Sequence, residues 1–476
     1  MPDLSILLTI YILNFLVLVV IICFERRDPV VSLAWLLGFT AVPVVGFLVF
    51  LIFGTGLKRK TAKKYAEKWR MNVDLSEKLS IEEERIKAKE YIKLPYGDIV
   101  SYLINVNNSI PTQGNNVEIF TDAEEKFEAL IHDMENAKES INLLYFIIRD
   151  DAIGNKILEI LSKKAREGVK VRFLYDDMGS FFTRRSMFDE LKKSGGKVCT
   201  FFPIKLNSYS KINHRNHRKI VVIDGSVGYI GGINIGDEYF GVKKLSPWRD
   251  THIRIVGPAV RYIQKIFSLD WMFSTGEDLS LSIAKYFPKC DEQPENQYVQ
   301  IACSGPDTKE EAIKFAMIKM INDAHEYVYI ETPYFVPDQS FMNALKTAAL
   351  SGVDVRVIIP GLPDKRYVYY STESYIGELL DAGIRVYKYR GFIHSKMIVS
   401  DGEISTIGTT NIDIRSFQLH FEINAFVYNK EIADECTEIF KYDIKNSDEV
   451  TTQSYKVRGI KQKFCEGFFR LFSPIM

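Results

Sequence analysis

Beyond residue 115 the chain alternates short apolar blocks with longer stretches whose apolar residues recur three and four positions apart. These are the periods of buried strands and of amphipathic helices. They predict strands over 117–120, 141–148 and 169–175, with helices over 124–137 and 153–167, the second helix closed by Gly168. The same succession returns as a strand over 300–302, a helix over 310–324, a strand over 326–332, a helix over 340–351 closed by Gly352, and a strand over 353–359. The matched pieces REGVKVRFLYD and LSGVDVRVIIP share Gly-Val-x-Val-Arg. Strand-helix alternation predicts parallel α/β layering. An internal repeat on this scale predicts two tandem α/β lobes about a pseudo-twofold axis, with one site on that axis fed by both.

The first 56 residues follow another pattern. An uncharged apolar run from Leu4 to Cys23 is as long as a bilayer core requires. Glu25-Arg26-Arg27-Asp28-Pro29 interrupts it, and a second uncharged run extends from Val30 to Gly54, bent by Gly38, Pro43 and Gly46. A cleaved signal peptide fits poorly, because no basic segment precedes the first run and a second full-length run follows. The pattern predicts a transmembrane helical hairpin. Lys58, Arg59, Lys60, Lys63, Lys64, Lys68 and Arg70 crowd its exit, which places the rest of the chain in the cytoplasm. The expected organisation is therefore a hairpin over 1–56, a charged helical linker over 57–115, lobes over 116–290 and 291–450, and a tail over 451–476. In that tail Ile460, Phe464, Phe468, Leu471 and Phe472 can share one helix face, rimmed by Lys456, Arg458, Lys461, Lys463 and Arg470. Such a helix suits either core packing or an interface with anionic membrane lipid.

Composition narrows the classes. Basic and acidic residues number 61 each, a balance that argues against a nucleic-acid binder. Six scattered cysteines with no C-x-x-C suggest neither zinc nor a disulfide framework, and fit a reducing compartment. No G-x-G-x-x-G follows a strand, so a dinucleotide cofactor is not expected.

The chemistry lies in a pattern that occurs twice, His-x-Lys-x₄-Asp: His217, Lys219 and Asp224, then His394, Lys396 and Asp401. Each copy leads into a small-residue turn ending in an asparagine, Asn234 in the first and Asn411 in the second. Two imidazoles, two ammoniums and two amides suit phosphodiester cleavage without metal. One neutral imidazole can attack phosphorus and form a phosphohistidine, while the other protonates the leaving alkoxide. The lysines and asparagines would hold the non-bridging oxygens. A nucleophilic imidazole needs its second nitrogen held by a carboxylate, and each half offers one candidate, Asp250 and Glu422. Asp224 and Asp401 complete the motifs, although their place after a strand suits turn caps better than phosphate contacts. No cluster with metal-ligand spacing appears, so neither metal nor cofactor is expected.

The duplicated motif resembles the phospholipase D superfamily, and the wider chain is similar to the bacterial cardiolipin synthases. The resemblance rests on NHRKIVVIDGSVGYIGGINIGDEY, PWRDTHIRIVGPAV, ETPYFVPDQSFMNALKTAALSGVDVRVIIPG, GFIHSKMIVSDG and NIDIRSFQLHFEIN, and extends to AWLLGFTAVPVVGF near the start and LFSPIM at the end. It implies transfer of a phosphatidyl group between two phosphatidylglycerol molecules, giving cardiolipin and glycerol. It also implies that His217 is the nucleophile and His394 the general acid, an order that the near-symmetry of the two motifs leaves open. The chain departs from the family pattern at Ala123, His214 and His420. Rival readings are a hydrolase that passes the same intermediate to water, a nuclease of the superfamily, and a catalytically silent membrane scaffold. Oligomeric state is not legible.

Overall fold

The computed structural model describes residues 96–473 apart from 205–212, 242–246, 292 and 309, together with Leu75 and isolated positions between 5 and 46. The hairpin expected over 1–56 and most of the charged stretch after it lie outside the described residues. Among the described residues no helix is long and apolar enough to cross a membrane.

Strand-forming blocks assemble into one continuous sheet. In the first half its order is Thr112–Phe120, His252–Val256, Val227–Gly231, Ile220–Ile223, Ser140–Tyr145, Lys170–Asp176 and Lys197–Phe201. The second half repeats that order from Gln297–Ser304 through His420–Tyr428, Ile404–Gly408, Met397–Ser400, Tyr327–Glu331, Asp354–Pro360 and Arg385–Tyr389, with Ser447–Val450 added at the edge. The halves meet where Thr112–Phe120 pairs antiparallel with Gln297–Ser304, Thr112 opposite Val299 and Asn115 opposite Gln297. Two equivalent half-sheets back to back are the expected pseudo-twofold arrangement.

The parallel layering expected from the alternation is confined to the outer part of each half. Ser140–Tyr145, Lys170–Asp176 and Lys197–Phe201 run parallel, as do their counterparts in the second half. The strands that follow the His-x-Lys motifs instead pair antiparallel with their neighbours on both sides. The cause is local. Asp224-Gly225 and Asp401-Gly402 all adopt left-handed backbone angles, φ 51, 68, 52 and 65. With the Ser226 N–H to Ile223 carbonyl and Glu403 N–H to Ser400 carbonyl bonds, they form turns that fold each strand back as a hairpin. The sheet is therefore mixed.

Amphipathic helices cover the sheet. Asp122, Asp151, Asp338 and Asn429 cap four of them by accepting backbone N–H bonds at their first turns. One further helix, Gly97–Asn107, precedes the first strand and buries Ile99, Val100 and Leu103 completely. Asn107 and Ser109 tie it to the backbone of Ile301 and Cys303 in the second half.

Candidate active site

Each catalytic histidine candidate is delivered by a two-residue strand of its own half that pairs with the opposite half. Arg215–Asn216 pairs parallel with the start of His420–Tyr428, Arg215 opposite His420 and Asn216 opposite Phe421. Phe392–Ile393 pairs in the same sense with Trp248–Arg249. The ladders continue one step further through the backbone. The His217 N–H donates to the Phe421 carbonyl at 3.0 Å and the His394 N–H to the Arg249 carbonyl at 2.6 Å.

That register sets the next contact. The residue after Phe421 is Glu422, whose carboxylate oxygens lie 3.0 and 3.1 Å from His217 Nδ1. The residue after Arg249 is Asp250, whose Oδ2 lies 2.6 Å from His394 Nδ1. The two acids are thus exchanged between the halves, each serving the histidine of the other. With Nδ1 so engaged, no described side chain bonds Nε2 of either ring.

Small differences between the halves accommodate the two acids. At Gly232 a side chain would collide with the carboxylate of Asp250, so glycine is required for that acid to lie flat beneath His394. The equivalent Thr409 instead donates its hydroxyl to Glu422 at 2.5 Å and fixes the longer side chain. The Thr409 carbonyl also lies 3.2 Å from His217 Nδ1.

Lys219 and Lys396 are buried behind the rings, each donating to the carbonyl of its own histidine. Burial, helped by the opposing Lys396, pushes Lys219 down to about 7. Burial lowers Lys396 to about 8 against the pull of Asp250 and Glu422. Burial and then Lys396 push His394 down to about 4, with Asp250 opposing. Burial and then Lys219 hold His217 well below the usual histidine range. Burial also raises Glu422 to about 8, opposed by Lys219 and Thr409. The His217–Glu422 contact is therefore a hydrogen bond from a neutral imidazole rather than an ion pair. Both lysines and both histidines thus form one electrostatic unit in which each cation disfavours the next, so a bound anion would favour their protonated forms.

The remaining expected residues divide. Asn234 accepts the Ile147 N–H on its carbonyl oxygen and donates to the Tyr239 hydroxyl, and Tyr239 stands against His394 with ring centroids 6.0 Å apart. Asn411 donates to Asp413, and its own carbonyl oxygen is buried without a protein partner. Asp224 and Asp401, named with the catalytic motifs, do not join the cluster. Asp224 accepts three backbone N–H bonds from Lys138, Glu139 and Ser140, and Asp401 three from His325, Glu326 and Tyr327. They are turn caps at the far ends of their strands.

Several contributors were not singled out from the sequence. Phe146 stands edge-on to His217 at 4.9 Å, and Trp248 and Phe392 flank His394 at 5.6 and 5.9 Å. Thr251 and Ser395 hydrogen-bond across the halves at 2.6 Å. Arg249 reaches Asp443 at 2.8 Å and Glu331 at 3.5 Å, both in the second half, and Arg218 bonds Asp270 at 2.6 Å. Arg218, Arg249, Thr251 and Ser395 stand next to site residues in the chain, whereas nothing in the sequence marks Phe146, Trp248 or Phe392.

The geometry agrees with likeness to known proteins. Residues 130–271 and 317–444 match the family described as cardiolipin synthase, PLD-like domain. The cardiolipin synthase of Listeria monocytogenes strain HCC23 is 44% identical over 481 residues, covering 99% of this chain and 98% of its own. The chain belongs to the cardiolipin synthase family of phospholipase D-like proteins. The major cardiolipin synthase of Bacillus subtilis is also 44% identical, with 99% of both chains covered. Residues 12–54 match a second family, phospholipase D-nuclease N-terminal. Among solved structures, phosphatidylserine synthase of Haemophilus influenzae superposes with a TM-score of 0.61 at 15% identity, over 80% of this chain and 100% of its own, and shares the fold. This chain thus joins the two PLD-like regions and the N-terminal match.

Proposed function

We infer that this protein is a cardiolipin synthase that moves a phosphatidyl group from one phosphatidylglycerol to another. The supporting observation is the pair of imidazoles, each held at Nδ1 by an acid from the other half, around two buried lysines. His217 Nε2 attacks the donor phosphorus as the bond to the departing glycerol breaks, giving a phosphohistidine. His394 supplies the proton that the glycerol oxygen needs. It then takes the proton from a hydroxyl of the second phosphatidylglycerol, whose oxygen displaces His217 and forms cardiolipin. Lys219 and Lys396 balance charge on the non-bridging oxygens, with Asn234 and Asn411 as neutral donors. The order of roles follows the family pattern, and Asp250, bonded to Nδ1 of His394, opposes the burial that lowers this ring to about 4. No step calls for a metal.

The same reading gives the layout. Two membrane helices over 1–56 lead through 57–115 to lobes at 116–290 and 291–450, which lie on the cytoplasmic side. The two uncharged runs, the basic cluster after them and the family match over 12–54 support it.

The test supplies full-length protein with phosphatidylglycerol in mixed micelles containing a chelator. Cardiolipin and glycerol are the expected products; phosphatidic acid alone would make the protein a hydrolase. His217→Ala and His394→Ala should each reduce turnover by about a thousandfold or more, and retention of a few per cent in either contradicts the two-histidine scheme.

A further inference from the structure

The last helix of the chain is inside out. Ile460–Arg470 packs on Arg366–Asp381 through its polar face: Glu466 is buried and bonds Arg458 at 2.8 Å, and Arg470 donates to the Ser374 carbonyl. Ser473 meets Ser371 at 3.1 Å, and Phe469 stacks on Tyr370. Its apolar face points outward, with Ile460 88%, Phe464 72% and Leu471 76% exposed and Phe468 and Phe472 beside them. Burying the polar stripe and exposing the apolar one reverses what core packing demands. Lys456, Lys461 and Lys463 are exposed around that face.

A second apolar projection stands at the other lobe. Phe181 and Phe182 are 61% and 84% exposed at the end of the strand Lys170–Asp176. Their loop is rigidly built. Asp176 caps it through the Met178 and Gly179 N–H groups, while Ser180 and Thr183 bond the backbone of Phe146 and Ile148. Phe146 is the ring packed on His217, so the loop that carries these phenylalanines is tied to the residue that walls the reacting imidazole. Arg184 and Arg185 follow, both with largely exposed side chains. The equivalent loop of the second half carries Leu362 and Lys365, with the Leu362 N–H bonded to the Gly391 carbonyl just before Phe392 and His394, and Tyr367 is exposed in the first turn of the helix that follows. That loop leads directly into the helix on which Ile460–Arg470 rests.

We propose that the outward face of Ile460–Arg470 and the Phe181–Phe182 loop form one surface that seats the mouth of the active site on a bilayer containing anionic lipid. The proposal rests on the lipid phosphodiester substrate argued above. Its occupant follows from charge and placement: apolar side chains rimmed by lysine and arginine match an anionic headgroup layer, and they flank the approach a membrane-held phosphate would use.

Two readouts separate this surface from the chemistry. In the full-length protein, the tryptophan introduced by Phe182→Trp or by Phe464→Trp should be quenched by brominated phosphatidylglycerol in vesicles beyond the quenching of the parent protein. Tyr442→Trp, exposed on Lys430–Lys445, should not. The pair Phe181→Ser/Phe182→Ser and the pair Phe464→Ser/Phe468→Ser should each lower turnover on phosphatidylglycerol vesicles by about tenfold. Turnover of short-chain, monomeric phosphatidylglycerol should stay within about twofold of the parent, because its binding needs no bilayer. Equal loss on both substrates, or no loss on vesicles, overturns the proposal. So does an absence of quenching in Phe464→Trp accompanied by a self-associated parent that the Phe464→Ser/Phe468→Ser pair makes monomeric, because a second copy would then cover the helix. Bilayer quenching does not depend on turnover, so a protein that seats but makes no cardiolipin would refute the function and leave the surface standing.

Discussion

Gly232 and Thr409 occupy equivalent places, and the contrast between them shows how finely each histidine is held. Gly232→Ala would press a methyl group into the Asp250 carboxylate and swing it from beneath His394. Turnover should fall by about a hundredfold or more with the fold intact, measured as kcat beside a circular dichroism spectrum; unchanged kcat would show that Asp250 does not orient the ring. The lysines give a second expectation. With Lys219 at about 7 and Lys396 at about 8, both lose cationic form as pH rises through that window. A bound anion stabilises the ammonium forms, so inorganic phosphate should bind most tightly below pH 7 and weaken as the pH passes 8. Binding at pH 8 should take up protons, read by calorimetry in buffers of different ionisation heat; zero uptake contradicts the assignment. The histidines, lysines and asparagines were legible because their spacing is repeated in the chain. Phe146 and Glu331 were not, since nothing in their spacing distinguishes them from core residues.

Elements were read with mixed success, for an identifiable reason. The helix over 153–167 and the strand over 169–175 differ from the observed Ala152–Arg166 and Lys170–Asp176 by a residue at their ends, because periodicity and a closing glycine mark both boundaries. The direction of the strands after each His-x-Lys was missed. A continuous apolar run such as Ile220–Ile223 looks the same in a parallel or a buried antiparallel setting, and the Asp-Gly pairs that reverse the chain carried the information. Asp224 and Asp401 therefore act on folding. Asp224→Ala removes the acceptor of three backbone N–H groups and should cost about 1–3 kcal/mol of stability. A lowered thermal midpoint with unchanged kcat per folded molecule is the expected result; loss of kcat at full stability would return this aspartate to the catalytic set.

At the scale of the whole molecule, the halves are equivalent but not independent. Two lobes and a shared axis were visible in the repeat. The exchange of Asp250 and Glu422 was not, because position along the chain does not record which half a side chain faces. Glu422→Gln should slow phosphohistidine formation on His217, 205 residues away in sequence, by about a hundredfold or more. Quenched-flow trapping of the phosphorylated protein would measure it, and an effect confined to the second chemical step would reverse the roles of the histidines. The seam between the halves adds a further consequence. It is hydrogen-bonded backbone, Thr112 against Val299 and Asn115 against Gln297, so parting the lobes would mean tearing a ladder of the sheet. With the lobes locked together, glycerol has to depart before the next lipid headgroup can take its place. Because one lipid fills both roles, a double-reciprocal plot of initial rates should be straight, where a ternary-complex scheme would curve upward.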